Sequence, residues 1–266
     1  MTRNGPDTIC VYVGLDLVGD GLVKLPFLRA LRHAFPDARI TWLAGKGPSV
    51  YAGPLAPLAA NLIDEVIEDA GVGHRAAELL RRPLPDRAFD LVIDTQRRLL
   101  TTLILRKLCC RVFISGAAGF LLSDQRPQLP YRKPAAMIRQ MLDLVAVASG
   151  RPAEPIAALR LSPAVTDAAA RLLPAGPLYV GLAPGAGGRH KCWPLERYVE
   201  LAQRQTAAGR VPVVLLGPAE AEWAGAFRAV PGARLALQDA AALAALDRLA
   251  GFRTSLTADR WDQLSG

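Results

Sequence analysis

The stretch TICVYVG, residues 8–14, is rich in β-branched and aromatic side chains, stops at a glycine, and is followed by LDLVGDG, residues 15–21. An apolar pattern with helical spacing then runs over residues 22–34. This order predicts a strand, a loop and a helix, the first unit of a fold in which strands and helices alternate. Such strands form a parallel sheet, and ligands bind in the crevice at their carboxyl ends.

The alternation continues along the chain and then begins a second time. In the first half we expect further strands at residues 38–45, 62–67, 89–94 and 111–115, and a long helix at 135–149. The proline-containing segment RPAEPIAALRLSP that follows Gly150 suits a connection between domains. In the second half we expect strands at 178–182, 211–216 and, more weakly, 233–237, with helices at 195–207, 219–229 and 240–250. The pattern therefore predicts two α/β domains, residues 1–155 and 156–266.

Composition excludes several classes of protein. Apolar runs stay well short of the roughly 18 residues that a membrane-spanning helix needs, and residues 1–7 are polar, so we predict a cytoplasmic protein. The four cysteines, Cys10, Cys109, Cys110 and Cys192, lack the spacing of a zinc site or a disulfide framework. The net charge of +8 favours anionic partners, but 6% aromatic content and dispersed arginines argue against nucleic acid.

Four segments carry a resemblance to a known family. They are VGDGLVKLPFLRALRHAFPDARITWL (18–43), FDLVIDTQ (89–96), APGAGGRHKCWPLERY (183–198) and VVLLGPAE (213–220). Their residue types, spacing and order resemble the motifs of the ADP-heptose:lipopolysaccharide heptosyltransferases, glycosyltransferase family 9. Four matches in the right order over most of the chain are far more specific than a single glycine-rich loop.

The resemblance implies a fold and a reaction. The fold is the GT-B arrangement, two Rossmann-like domains facing each other across a cleft, the first binding the acceptor and the second the nucleotide sugar. The reaction is an inverting, metal-independent transfer of heptose from ADP-heptose, or a similar nucleotide sugar, to the inner core of a lipopolysaccharide precursor. We expect no cofactor. The three histidines, His33, His74 and His190, share no ligand spacing, so we predict no metal site either.

Site residues on the acceptor side follow from the first two segments. The resemblance makes Asp20, after Gly19, the base that takes the proton of the acceptor hydroxyl. Local sequence alone leaves another use open, because Asp often caps the start of a helix. Arg97 and Arg98 follow the second segment and are candidates for contact with the acceptor.

Site residues on the donor side follow from the last two segments. Gly185 and Gly187 lie in a flexible loop, and Arg189 and Lys191 precede a helix start, where cations and free N–H groups meet phosphates. The alternative for Lys191 is a solvated side chain beside a tryptophan. The resemblance suggests that Glu220 binds the ribose, with Glu222 as the substitute if the register is shifted. The alternative for Glu220 is an acid in the first turn of a helix.

The chain also departs from the family pattern. Leu17 and Val18 replace a hydroxyl residue before Gly19, and a D-S-G-x-x-H loop does not follow Glu220. The second domain therefore looks incomplete, and we expect little or no transferase activity from the 266 residues. Two alternatives stay open, a truncated non-catalytic remnant and a transferase of another nucleotide sugar.

The basic segment RRLLTTLILRKLCCR, residues 97–111, allows two interpretations. Its charges suit a phosphorylated glycolipid or a peripheral contact with the cytoplasmic face of the inner membrane. It is equally typical of a core helix with charged ends, which we favour for most of these residues.

Overall fold

A computed structural model describes residues 5–15, 17–156, 163–186 and 188–237. The chain divides into two compact units, Met1–Ala158 and Leu159–Gly266. The described part of each unit is an alternation of strands and helices around a parallel sheet. The predicted α/β class is therefore confirmed.

The first unit contains a five-stranded sheet. Its strands are β1 (Thr8–Val13), β2 (Arg39–Ala44), β3 (Glu65–Ile67), β4 (Ala88–Asp94) and β5 (Cys109–Ser115). Its helices are α1 (Val18–Ala34), α2 (Ala56–Ala59), α3 (Leu99–Leu105) and α4 (Met137–Ser149), with short 3-10 helices at Ala76–Leu80 and Ala117–Phe120. All neighbouring strands are parallel, in the order β3-β2-β1-β4-β5.

The strand order places a ligand crevice between two particular strands. The chain passes from β1 outward to β2 and β3, then returns to the other side of β1 as β4. The loops after β1 and β4 therefore leave the sheet in opposite directions, which opens a crevice at their carboxyl ends. Both strands are almost fully buried, as expected for the centre of a parallel sheet covered by helices.

Helix α1 begins four residues earlier than the sequence predicts. The first turn is closed by a hydrogen bond from the Gly21 N–H to the Leu17 carbonyl, 2.8 Å. A Cβ atom on Gly21 would lie 2.6 Å from Val50 Cγ2 and 2.8 Å from Leu55 Cδ1, and the Tyr51 hydroxyl donates to the Gly21 carbonyl at 2.7 Å. Position 21 is therefore a glycine because α1 packs closely against the segment around Val50 to Leu55. Local sequence does not reveal this contact.

The second unit has a three-stranded sheet in its described part. The strands are β6 (Tyr179–Leu182), β7 (Val211–Leu216) and β8 (Arg234–Leu237), parallel and in that order. The helices are α5 (Pro163–Leu172), α6 (Leu195–Ala207) and α7 (Ala224–Arg228), and 3-10 helices cover Arg189–Lys191 and Pro218–Trp223. The single helix predicted at 219–229 is therefore two shorter ones. The helix predicted at 240–250 lies outside the described residues.

Candidate active site

A pocket of about 320 Å³ lies at the carboxyl ends of β1 and β4 in the first unit. Residues after these two strands and after β5 contribute to its wall, together with one side of α1 and of α4. The lining residues are Leu15, Asp20, Lys24, Asp94, Thr95, Gln96, Arg97, Gly116, Met137, Gln140, Met141 and Leu144. The pocket thus occupies the crevice that the strand order creates.

Asp20 lies in the wall of this pocket, within the first turn of α1, rather than in the loop before the helix. The residue at the cap position is Leu17, and it makes no side-chain capping hydrogen bond. The capping role that local sequence allows for Asp20 is therefore wrong. Its carboxylate is exposed, as a base that meets a substrate hydroxyl must be. Gly19 is exposed too, but it is not among the residues that line the pocket.

Lys24 is a pocket residue that the sequence interpretation missed. It lies four residues after Asp20 on α1, so the two side chains share one face of the helix. The residue is 6% exposed, an uncommon burial for lysine, and it lines the pocket together with Asp20. The spacing from Asp20 was the available signal, but an amphipathic helix gives many charged residues that spacing without a site.

Asp94 forms the buried end of the pocket. Its Oδ1 accepts from the Gln96 N–H at 2.8 Å, and its Oδ2 accepts from the hydroxyls of Thr102 and Ser115 at 2.6 and 2.8 Å. Burial raises the pKa of Asp94 to about 6, although these hydrogen bonds oppose the shift. Since both oxygens are engaged, the carboxylate ties β4, α3 and β5 together beneath the pocket.

The two neighbouring arginines are separated by the fold. Arg97 lines the pocket, and its guanidinium packs against Gly116, where an added Cβ would lie 3.1 Å from Nη2. Burial raises the pKa of Tyr131, and the nearby charge of Arg97 opposes that rise. The Arg97 Nη2 atom is buried and has no hydrogen-bond acceptor among the described residues. Arg98 is exposed at the start of α3 and does not line the pocket.

In the second unit, Gly185 and Glu220 are brought together at the carboxyl ends of β6 and β7. Glu220 is only 6% exposed. A Cβ atom on Gly185 would lie 2.7 Å from one carboxylate oxygen of Glu220 and 3.1 Å from the other. A side chain at position 185 would force the Glu220 carboxylate to move, so the loop after β6 and the segment after β7 lie in close contact. Gly187 lies outside the described residues.

Arg189 and Lys191 have different surroundings. The Arg189 guanidinium donates to the Ala219 carbonyl at 3.1 Å, forms an ion pair with Glu222, and lies over the Trp223 ring with its carbon 4.5 Å from the centroid. These contacts fasten the loop after β6 to the segment after β7. Lys191 is exposed to solvent. Glu222, on the surface with Arg189, is thereby distinguished from the buried Glu220.

Most other charges of the basic segment have protein partners. Arg106 pairs with Asp124 at 2.6 Å, Arg111 pairs with Asp90 at 3.3 Å, and Lys107 donates to the Leu79 carbonyl. Arg106 follows the last residue of α3, Lys107 lies beyond the helix and Arg111 lies in β5, so a single core helix does not cover this segment, although protein partners hold all three charges. In the part of the chain that the structure describes, none of the helices has the length and apolarity needed to cross a membrane. The same described residues include no group of three His, Cys, Asp or Glu side chains placed to hold a metal ion.

Comparison with known proteins connects this geometry to a family. The sequence model described as "Glycosyltransferase family 9 (heptosyltransferase)" matches residues 75–252, more than half of the chain. A search among curated proteins gave no match.

Solved structures with a similar fold come from the same family. A glycosyl transferase family 9 protein from Veillonella parvula superposes with a TM-score of 0.56 at 19% identity, covering 88% of this chain and 73% of its own. The E. coli ADP-heptose lps heptosyltransferase II gives 0.55 at 19% identity, covering 91% and 75%. The E. coli heptosyltransferase WaaC with ADP gives 0.55 at 18% identity, covering 86% and 74%. At these identities the similarity concerns the fold.

Proposed function

This chain belongs to glycosyltransferase family 9, the heptosyltransferase family, and we propose that it transfers heptose from ADP-heptose to the inner core of a lipopolysaccharide precursor. The observation that carries the proposal is the pocket at the carboxyl ends of β1 and β4, with the exposed carboxylate of Asp20 in its wall. The similarity to the two E. coli structures, one an ADP-heptose lps heptosyltransferase and one a heptosyltransferase complex with ADP, supports the choice of donor.

Asp20 is the base in the proposed mechanism. An acceptor hydroxyl in the pocket attacks the anomeric carbon of heptose while the carboxylate of Asp20 takes its proton. The new C–O bond forms as the bond to ADP breaks on the opposite face of the sugar, which inverts the anomeric configuration. The leaving diphosphate gains negative charge, so the reaction also needs positive groups on the donor side.

The donor side of the proposed site is the surface around Gly185. Glu220 accepts a hydrogen bond from a ribose hydroxyl, a role that acids at strand ends play in nucleotide-binding folds. Lys191 stabilises the diphosphate, and Gly185 and Gly187 let the loop approach it, so the transfer needs no metal ion. A guanidinium carries five N–H groups, and Arg189 can therefore contact the donor while it holds Glu222 and the Ala219 carbonyl.

The acceptor side of the proposed site begins at Asp20 and extends along the pocket. Arg97 and Gly19 are its nearest predicted contacts, and the exposed Arg98 is placed further out. Leu99 follows Arg98 directly at the start of α3, and Leu103 lies one helical turn after Leu99. The two leucines are 56% and 39% exposed. An apolar and basic surface of this kind suits a glycolipid at the cytoplasmic face of the inner membrane. We accordingly place the reaction in the cytoplasm, with a peripheral membrane contact.

The test measures ADP release by the purified chain with ADP-heptose and heptose-deficient lipopolysaccharide. Turnover that requires both substrates would support the heptosyltransferase proposal and would show that the expectation of little or no activity from these 266 residues is wrong. Parallel reactions use other nucleotide sugars, and turnover with one of them would identify that sugar, rather than ADP-heptose, as the donor. ADP binding without any turnover would favour the non-catalytic remnant. A chain that neither binds ADP nor releases it contradicts the proposal.

A further inference from the structure

Two cationic side chains converge on the pocket from different elements. Lys24 reaches it from α1, and Arg97 reaches it from the loop after β4. The two lie more than seventy residues apart in the sequence, so only the fold brings them to one cavity. Neither is a free surface charge, because Lys24 is 6% exposed and the Arg97 side chain is partly buried against Gly116.

The burial of the Arg97 guanidinium has an energetic cost that its contacts with the described residues only partly offset. A buried N–H without an acceptor costs about 1–3 kcal/mol, and the Arg97 Nη2 is such a group within the described residues. Lys24 has a partner within the protein, but an ammonium carries three donors and can bind a second acceptor at the same time. An anion in the pocket would supply acceptors to both side chains.

The carboxylates of the pocket leave room for that anion. Among the residues that the structure describes, two acidic side chains line it, Asp20 and Asp94. The oxygens of Asp94 already accept three hydrogen bonds from Gln96, Thr102 and Ser115, and its raised pKa of about 6 reduces its charge in mildly acidic solution. Asp20 is the proposed base and must face a neutral hydroxyl rather than pair permanently with a cation.

We propose that Lys24 and Arg97 together bind a negatively charged group of the acceptor, a carboxylate or a phosphate, and that Lys24 thereby makes the enzyme specific for anionic acceptors. This inference rests on the proposed function and adds to it the residues that recognise the acceptor's charge. A charge-assisted contact on the same helix as Asp20, one turn away, fixes the acceptor relative to the base. Lys24 is then a specificity-determining residue rather than a donor contact.

The experiment compares Lys24→Met, which keeps an apolar stem of similar length, with Arg97→Gln. The control is Arg139→Gln, which removes one positive charge from an exposed position on α4, paired with Glu154 and outside the pocket. In the ADP-release assay with heptose-deficient lipopolysaccharide, each pocket variant should raise the acceptor KM by about tenfold to a hundredfold while kcat changes less than about threefold. ADP affinity, measured by calorimetry, should stay unchanged in all three.

Two modified acceptors identify the anionic group. One is lipopolysaccharide treated with phosphatase, and the other has its carboxyl groups methylated. The acceptor that lacks the recognised group should bind the unaltered enzyme weakly, and Lys24→Met should no longer weaken its binding further. An unchanged acceptor KM in Lys24→Met, a similar effect in Arg139→Gln, or an equal loss of ADP affinity would each overturn the inference.

A direct binding measurement separates this inference from the proposed function. Calorimetric titration with detergent-dispersed heptose-deficient lipopolysaccharide needs no turnover, so it tests Lys24 even if the unaltered chain releases no ADP. Thermal unfolding checks that each variant is folded. If Lys24→Met does not fold, the same titration with Arg97→Gln tests the shared anion site. Unchanged acceptor affinity in a folded Arg97→Gln protein contradicts that site.

Discussion

The first strands of the two units, β1 and β6, share a local pattern but have different surroundings. Each is followed by a glycine-containing loop and a helix. β1 pairs with β2 on one edge and β4 on the other, and its last five residues are fully buried. β6 pairs with β7, the one neighbour it has among the described residues, and of its four residues Leu182 alone is buried. The same local sequence pattern therefore yields a central strand in one unit and an edge strand in the described part of the other.

The difference between the two units shows that a pocket forms where loops diverge from the ends of neighbouring strands. In the first unit, loops diverge from the neighbouring ends of β1 and β4, and the space between them is the pocket that contains Asp20. In the second unit, the described residues bring the ends of β6 and β7 together, and Gly185 meets Glu220 in direct contact. We expect the first unit to govern chemistry and the second to govern donor affinity, and the following variants test that division.

The largest effect is expected from Asp20→Ala. Loss of a general base lowers turnover by on the order of a hundredfold or more, while ADP affinity stays close to that of the unaltered protein because the donor site belongs to the second unit. Steady-state ADP release and calorimetry with ADP measure the two quantities. Asp86→Ala, at another exposed carboxylate of the first unit, is the control. Undiminished turnover in Asp20→Ala eliminates its role as base.

Lys191→Ala should show the reverse pattern. Removing a charge-assisted contact with the diphosphate weakens ADP binding by about tenfold to a hundredfold. Calorimetric titration of ADP gives the affinity, with Arg210→Ala as a control for an exposed cation of the same unit that bonds to Gln205. Equal ADP affinity in Lys191→Ala and the unaltered chain would place this lysine on a solvated face.

Two glycines of α1 test how far packing governs the start of this helix. Gly21→Ala forces a Cβ to within 2.6 Å of Val50 Cγ2, so we expect it to lower the free energy of unfolding by about 1–3 kcal/mol. Gly19→Ala meets nothing within 4 Å and should leave stability unchanged or raise it by up to about 1 kcal/mol, since alanine is the better helix former. Urea unfolding compares the two. Similar losses in both would show that the helix start is governed by local sequence.

The smallest effect concerns the pH dependence of stability through Asp94. Its pKa is raised from 3.8 to about 6 in the folded protein, so the folded state holds the proton more tightly than the unfolded state. The contribution of Asp94 is therefore fully present below about pH 4 and is lost as pH rises towards 6, by roughly 1–3 kcal/mol. The Asp94→Asn variant should lack this decrease in the free energy of unfolding between about pH 4 and 6.

Unfolding at a series of pH values measures the difference between the Asp94→Asn variant and the unaltered chain. Other carboxylates contribute stability that increases as pH rises, because hydrogen bonds and arginines hold the pKa values of Asp64 and Glu65 below their ordinary values. Their contribution is common to both proteins and cancels in the difference. A difference that is flat between pH 4 and 6 contradicts the buried titration of Asp94.

Much of the fold could be predicted because the periodicity of apolar residues is a local property. The strand at Val211–Leu216 and the helix at Leu195–Ala207 have the predicted bounds, since the continuous apolar run of the strand and the helical spacing of the helix persist to their ends. The prediction of one helix at 219–229 was wrong, because this region contains two shorter helices. The Pro218–Trp223 segment is a 3-10 helix whose Glu220 packs against Gly185, and a tertiary contact of that kind leaves no periodic signal.

Less of the candidate site could be predicted. Asp20 is identified by a motif, and its neighbour Gly19 by the same motif, yet Gly21 is the glycine that packing requires. Arg97 and Arg98 could not be distinguished from the sequence. In the folded protein Arg97 lines the pocket, whereas Arg98 is exposed at the surface. The spacing of Lys24 from Asp20 and the position of Asp94 at a strand end did not single these residues out, because a charged residue on a helix and an acid at a strand end are common in any α/β protein.

The sequence by itself determined the α/β class, the order of the elements and the family, because these depend on periodicity, turn residues and motif spacing along the chain. Tertiary structure alone decided which side chains share the pocket and which lie at the surface. Asp20, Lys24 and Arg97 meet because β4 returns beside β1, and Glu220 is buried next to Gly185 where the ends of β6 and β7 lie together. Burial, hydrogen bonding and pKa depend on neighbours that are distant in sequence, so only the folded chain could fix them.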